Sequence, residues 1–256
     1  DGSAELLPVA TVAAAIAAVE GGEADAAVCA VENSVEGGVT ETLDLMLRDD
    51  FALSVSGEVI VQITHILAGA PGVDPAVATR VYSHPQALAQ CRHRLREIAP
   101  NGEPVAALST AAAIESAMAE PGTIAVGSML AAQLSGATVY AEDIADEAGN
   151  ETRFLVISNA DQELTGSDIT SIAFTAYHDR PGSLVEVLGY LSQRGLNMTR
   201  IESRPTRQQL GTYVFLIDFE GHRADADVAD TLRDIDEATP WMRVFGSYPR
   251  RAAGDA

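Results

Sequence analysis

Val12, Ile16 and Val19 recur at helical spacing and Gly21-Gly22 stops the run, which predicts a helix over 11–22. An unbroken apolar stretch over 26–31 predicts a short buried strand. It ends abruptly at Glu32-Asn33-Ser34, before Gly37-Gly38. A second helix is predicted over 40–48, with Leu43, Met46 and Leu47 inward. Residues 52–68 read as a long β-rich stretch in which Val59, Val61 and Ile63 alternate, closed by Pro71 and Pro75. Three strand–helix units follow. Val81-Tyr82 enters Ser83-His84-Pro85, with Pro85 suited to a first helical turn and Leu88, Cys91, Leu95 and Ile98 inward as far as Pro100. The second unit covers 105–108 and 110–119, the third 123–127 and on through Leu134. A further strand is predicted over 153–157. Strands alternating with helices predict an α/β class with mostly parallel sheets.

The polar run "SNADQELTGSD" has turn formers and no apolar period, so a linker is expected over 159–168. The pattern then changes. Ile172, Phe174 and Ala176 alternate in a strand; Leu184, Val187, Leu188 and Leu191 keep helical spacing up to Gly195. Strands over 196–204 and through Tyr213, Phe215, Ile217 and Phe219 follow, then a helix at Val228, Leu232 and Ile235 and a last strand over 242–245. The order βαββαβ predicts a ferredoxin-like domain over 169–249, whose exposed sheet edge or face is of the kind that pairs with a second copy.

Composition narrows the classes. The chain has 256 residues, enough for two or three compact units, with 47% apolar and 21% charged positions. Sixteen basic against 37 acidic residues give a formal charge of −21. Such a surface repels nucleic acid and anionic membrane, so neither is an expected partner. An anionic ligand would need a locally positive pocket, which makes each arginine near a motif matter. Cys29 and Cys91 are far apart, so neither a disulfide framework nor a metal site is expected, and a cytoplasmic setting is the simple reading. The chain opens on Asp1 in mid-pattern, so a preceding piece is expected.

Candidate chemistry lies at strand–helix corners. Glu32-Asn33-Ser34 ends a strand of an α/β sheet, where ligands bind, and the glycines let backbone approach an anion; a plain turn is the alternative. Gln86 and Gln90 share a helix face, either to orient a polar ligand or to meet water. His84 is either an acid or a turn residue. Ser109-Thr110 and Gly127-Ser128 open helices, as anion sites or ordinary caps. Arg153, beside Thr152 and Phe154, is either a carboxylate clamp or a partner of nearby acids.

In order, "VENSVEGGV", "SHPQALAQC", "STAAA", Gly127-Ser128, "TRF", "GSL" and "ESRP" resemble prephenate dehydratase with a C-terminal ACT regulatory domain, over about 26–248. The family's opening strand and glycine-rich loop have no counterpart here. The resemblance implies a two-lobed, periplasmic-binding-protein-like catalytic region with a cleft over 1–158, and an ACT domain after the linker. It implies decarboxylating dehydration of prephenate to phenylpyruvate in phenylalanine biosynthesis, by a cytoplasmic hydro-lyase that needs no cofactor or metal. Carried over, Thr152 matches the catalytic threonine, with Glu32 as proton source if burial raises its pKa. Asn33, Ser34, Gln86, Gln90, Thr110, Ser128, Arg153 and Phe154 are the expected substrate-binding residues. Gly182, Ser183, Leu184, Asn197, Glu202, Ser203, Arg204 and Pro205 are the expected site for phenylalanine as allosteric effector, between ACT domains of a homo-oligomer (dimer or tetramer). Arogenate dehydratase, a non-catalytic amino-acid sensor and, less favoured, a solute receptor are the alternatives.

Overall fold

The computed structural model describes residues 4–177, 180–207 and 209–250; Asp1, where an expected preceding strand would join, lies outside them. Thr11 caps α1 (Val12–Glu20) by accepting the Ala14 N–H. There follow β1 (Ala26–Asn33), β2 (Gly37–Gly38), α2 (Thr40–Met46), β3 (Ser54–Gln62), β4 (Ile66–Gly69), β5 (Arg80–Ser83), α3 (Pro85–Gln90), α4 (Arg92–Ile98), β6 (Glu103–Ala106), α5 (Thr110–Ala119), β7 (Thr123–Gly127), α6 (Met129–Ser135), β8 (Thr138–Ala141) and β9 (Glu151–Ser158). The C-terminal part is β10 (Asp168–Thr175), α7 (Ser183–Gln193), β11 (Met198–Pro205), β12 (Tyr213–Glu220), α8 (Ala226–Ala238) and β13 (Trp241–Pro249), the expected βαββαβ order. Among the described residues no helix is long and apolar enough to cross a membrane.

The chain forms two compact units. One holds Gln62–Glu151; the other holds the chain up to Val61 and from Thr152 onward. In the first, the strand order is β6-β5-β7-β4-β8. β5 is parallel to β6 and β7, whereas β4 is antiparallel to β7 and β8. The expected parallel sheet therefore carries one reversed strand, because β4 enters without a helical crossover. The expected long strand over 52–68 breaks into β3 and β4. Its buried alternation lies at Phe51, Leu53 and Val55, while Val61 is exposed. The expected helix over 85–98 also breaks, at buried Cys91 (φ −111°, ψ 12°). Leu108, read as the end of a strand, is 97% exposed beyond β6.

In the other unit, sheet β2-β1-β9-β3 stacks against the all-antiparallel sheet β11-β12-β10-β13. Helices α7 and α8 cover one face of the latter, over Ile172, Phe174, Ile217 and Phe219. Its other face places Ile169, Ala173, Leu216, Phe245 and Tyr248 in one core with Ile16, Leu43, Met46, Leu155 and Ile157. Of the two expected surfaces for a second copy, sheet edge or sheet face, the face is covered by the chain's own α/β layer, and the edges β11 and β13 are left. The approach is close. A Cβ on Gly246 would stand 2.3 Å from the Val55 carbonyl oxygen, so no other residue fits there without moving backbone.

Candidate active site on the β1–β9 strand pair

β1 does not end at the apolar run. It continues through Glu32 and Asn33, paired antiparallel with β9. Ala30 faces Phe154, the register then slips by one residue, and Glu32 faces Arg153 while Asn33 faces Thr152. The slip is a β-bulge at Val31, which places Val31 and Glu32 together opposite Arg153. Side chains alternate along a strand, so Glu32 and Arg153 share one face and Asn33 and Thr152 the other.

On the second face, the Asn33 amide donates to Thr152 Oγ1 at 2.9 Å. The Asn33 carbonyl oxygen accepts the Val35 and Glu36 N–H groups, both at 3.0 Å, which closes the turn into β2. Asn33 is thus a turn residue and a partner of Thr152 at once. A hydroxyl that accepts from Asn33 still has its own proton to give. Phe154 and Thr152 are half-buried on this side, and Ser34 is exposed in the turn.

The first face is ionic. Arg153 Nε donates to Glu58 at 2.7 Å, Nη1 to Asp218 at 2.7 Å and Nη2 to Tyr248 Oη at 2.9 Å. The Arg153 side chain is only 15% exposed. Burial disfavours its charge, yet Asp218, Tyr248 and Glu58 together hold its pKa above the ordinary arginine value. Burial pushes the Tyr248 phenol up, Asp218 adds to this, and Arg153 opposes it. The guanidinium fork is therefore filled by the protein's own carboxylates, not turned outward as a substrate clamp. Glu32 pairs with Arg200 of β11, Oε2 to Nε 3.2 Å, and its side chain is 43% exposed. The burial that a proton-source role requires is absent.

The neighbouring contacts extend this face. Arg200 also pairs with Glu202, and Arg204 donates to Asp44 of α2 at 2.7 Å. A Cβ on Gly38 would meet the Glu202 carboxylate at 2.5 Å. The anion that the glycine admits is thus the protein's own.

The unit Gln62–Glu151 holds the other expected residues. β5, β6 and β7 are parallel, so His84, Ser109-Thr110 and Ser128 follow strand ends on one sheet edge. Ser109 and Ser128 cap α5 and α6, accepting the Ala112 and Ala131 N–H groups. His84 caps α3 more loosely, at 3.4 Å. Gln86 is exposed in the first turn of α3, while Gln90 is turned into a polar cluster. The Gln90 Oε1 lies 2.8 Å from His65 Nε2 and accepts from the Asn150 amide at 2.9 Å. His65 and Asn150 are both buried. Neither was anticipated; a lone Asn just before Glu151-Thr152 is the only cue to one of them.

With this geometry in place, comparison with known proteins is decisive. The family model "Prephenate dehydratase" matches residues 1–162 and the "ACT domain" model residues 170–237. The chain belongs to the prephenate dehydratase family. It is 39% identical over 97% of its length to a bifunctional chorismate mutase/prephenate dehydratase of Aquifex aeolicus, and spans 67% of that protein. It is 38% identical over 97% of its length to a prephenate dehydratase of Mycolicibacterium vanbaalenii, spanning 80% of it. A crystal structure of the prephenate dehydratase of Arthrobacter aurescens in complex with L-Phe is similar at a TM-score of 0.87. The two are 40% identical, over 98% of this chain and 84% of that one.

Within this member of the family the expected effector residues do not converge in one chain. β11 is parallel to β10, since both run antiparallel to β12, so Pro205 and Thr175 end at one sheet edge. Asn197 precedes β11 at the other. Gly182 (φ 85°) starts α7, and Ser183 donates to the Tyr177 carbonyl at 2.7 Å. Along β11, Ser203 and Pro205 face outward, whereas Glu202 and Arg204 face β2 and α2. A cavity of about 420 Å³ lies at the Pro205 end, lined by Asp44, Thr206, Arg207 and Trp241 among others, away from Thr152.

Proposed function

We propose that this chain converts prephenate to phenylpyruvate, with Thr152 as hydrogen-bond donor to the departing hydroxyl. The observation that carries the reading is the 2.9 Å contact from the Asn33 amide to Thr152 Oγ1 on the uncharged face of the β1–β9 pair. Prephenate carries two carboxylates and a ring hydroxyl. As the ring carboxylate leaves as carbon dioxide, its bonding electrons enter the ring. The carbon–oxygen bond at the opposite ring carbon breaks, and hydroxide departs, leaving as water once it takes one proton. Aromatisation supplies much of the driving force, so the protein must orient the ring and stabilise one developing charge. Asn33 fixes the Thr152 oxygen from one side, which directs the hydroxyl proton to the other. The proton is replaced from solvent through Thr152. In this reading Ser34 and Phe154 contact the substrate. Arg153 and Glu32 lie behind it and hold the strands.

The ACT domain is the site of phenylalanine feedback. Two features support a ligand held between two copies: the expected effector residues lie at opposite ends of β11, and β11 is an edge strand. The Gly182–Leu184 turn would offer N–H groups to the ligand carboxylate.

The test compares phenylpyruvate formation from prephenate with phenylalanine formation from arogenate, each with and without phenylalanine. Prephenate turnover that falls at least about a hundredfold in Thr152→Ala is the expected result. Turnover of arogenate alone would move the chain to the arogenate reading, and turnover of neither to the sensor reading.

A further inference from the structure

We propose that Asp218 and Tyr248, both in the ACT sheet, are positioning residues for the Asn33–Thr152 pair and act on it through Arg153. The proposal rests on the reading of Thr152 as hydroxyl donor. Thr152 and Arg153 are consecutive residues of one strand, so whatever fixes the Arg153 backbone fixes that of Thr152. The Arg153 guanidinium is held from three different strands: by Glu58 of β3, Asp218 of β12 and Tyr248 of β13. Three donors aimed in three directions set both the place and the rotation of a planar group.

The protons around it have a single arrangement. Arginine only donates, so Asp218 and Tyr248 accept from it. Ser171 of β10 donates to the other Asp218 oxygen at 2.5 Å. The Ser171 oxygen, 2.8 Å from Tyr248 Oη, is then the acceptor for the phenol proton. The run from Tyr248 through Ser171 to Asp218 is buried and closed, with no rotor left to turn.

The partner strand has one contact from the same sheet, to a half-exposed carboxylate. Arg200 of β11 grips Glu32, the residue beside Asn33. The ACT sheet thus holds both β1 and β9 one residue away from the reacting pair, and the bulge keeps its grips on the opposite face. A displacement near 1 Å can cost on the order of a hundredfold in rate, so a change in this sheet too small to unfold anything is enough to change turnover.

Steady-state kinetics with prephenate on the full chain test this, using Asp218→Asn, Tyr248→Phe, Thr152→Ala and the two doubles with Thr152→Ala. Asp218→Asn is expected to lower kcat about tenfold or more while KM stays within about twofold, the signature of a lost transition-state interaction. Tyr248→Phe, which removes one hydroxyl only, is expected to lower kcat about threefold, and decides the matter if Asp218→Asn does not fold. Neither change lowers kcat further when Thr152 is already Ala. Wild-type kcat in both single variants beside a slow Thr152→Ala overturns the positioning role and leaves the Thr152 reading intact. The same fold loss in the Thr152→Ala background also overturns it, since the effect then bypasses Thr152. Near-normal turnover of Thr152→Ala overturns both.

Discussion

The two faces of the β1–β9 pair are built from neighbouring residues and have opposite characters. Asn33 and Thr152 meet on a half-buried, uncharged face through one hydrogen bond. Glu32 and Arg153, one residue away along each strand, point into the ACT sheet, where each meets an opposite charge. In a chain with formal charge −21, an unpaired cation near an anionic substrate looks like an obvious asset. The fold uses Arg153 otherwise, because the face it occupies is buried and already carries Glu58 and Asp218. A buried carboxylate without a partner costs more than a surface one gains. Charge is thus committed to joining the layers, and the face proposed to meet the substrate is left to neutral donors.

The comparison breaks most sharply if Arg153 is removed. Arg153→Met leaves Glu58 and Asp218 buried without their cation, and roughly 3–5 kcal/mol of stability should be lost. Urea unfolding measures this; a midpoint equal to that of the parent would show that the ionic face is not what joins the layers. Thr152→Ala does the reverse. It should cost about a hundredfold in kcat while stability changes by only about 1 kcal/mol. Asn33→Ala should lower kcat about tenfold, the worth of one such hydrogen bond, with a small stability loss from the turn. Equal rates for Asn33→Ala and the parent would uncouple the two residues.

The last effect, confined to alkaline pH, concerns Cys29, whose side chain joins the core on the ionic side. Burial, aided by Glu41, pushes its thiol from 9.0 to about 11. A pKa raised on folding means the folded state holds its proton more tightly. That contribution is complete below pH 9 and is lost as pH rises from 9 towards 11. The thermal midpoint should therefore fall across this window, and the Cys29→Ala variant should show a shallower fall.

Much of the fold was readable from pattern. The βαββαβ order, α5 and β7 follow directly from apolar period and Gly and Ser punctuation. β8, four residues long, was missed because so short a strand shows no period. The break at Cys91 was missed because the apolar stripe from Leu88 to Leu95 runs straight through it. Thr152 and Asn33 were legible as candidates through the ordered motifs. Their contact was not, since 119 residues separate them. Asp218 left a cue, an acid set between Ile217 and Phe219 in the strand "YVFLIDFE", but nothing in its own segment points to Arg153.

The sequence by itself determined the family, the βαββαβ order of the ACT domain and the two residues proposed to act on the substrate. Tertiary structure decided which side each motif residue serves. A one-residue bulge at Val31 sets the register of β1 against β9, and strand alternation then sends Glu32 and Arg153 to the ACT sheet and Asn33 and Thr152 away from it. No local pattern encodes that choice, because it depends on which residue of a distant strand stands opposite, and on the buried carboxylates waiting on the far side.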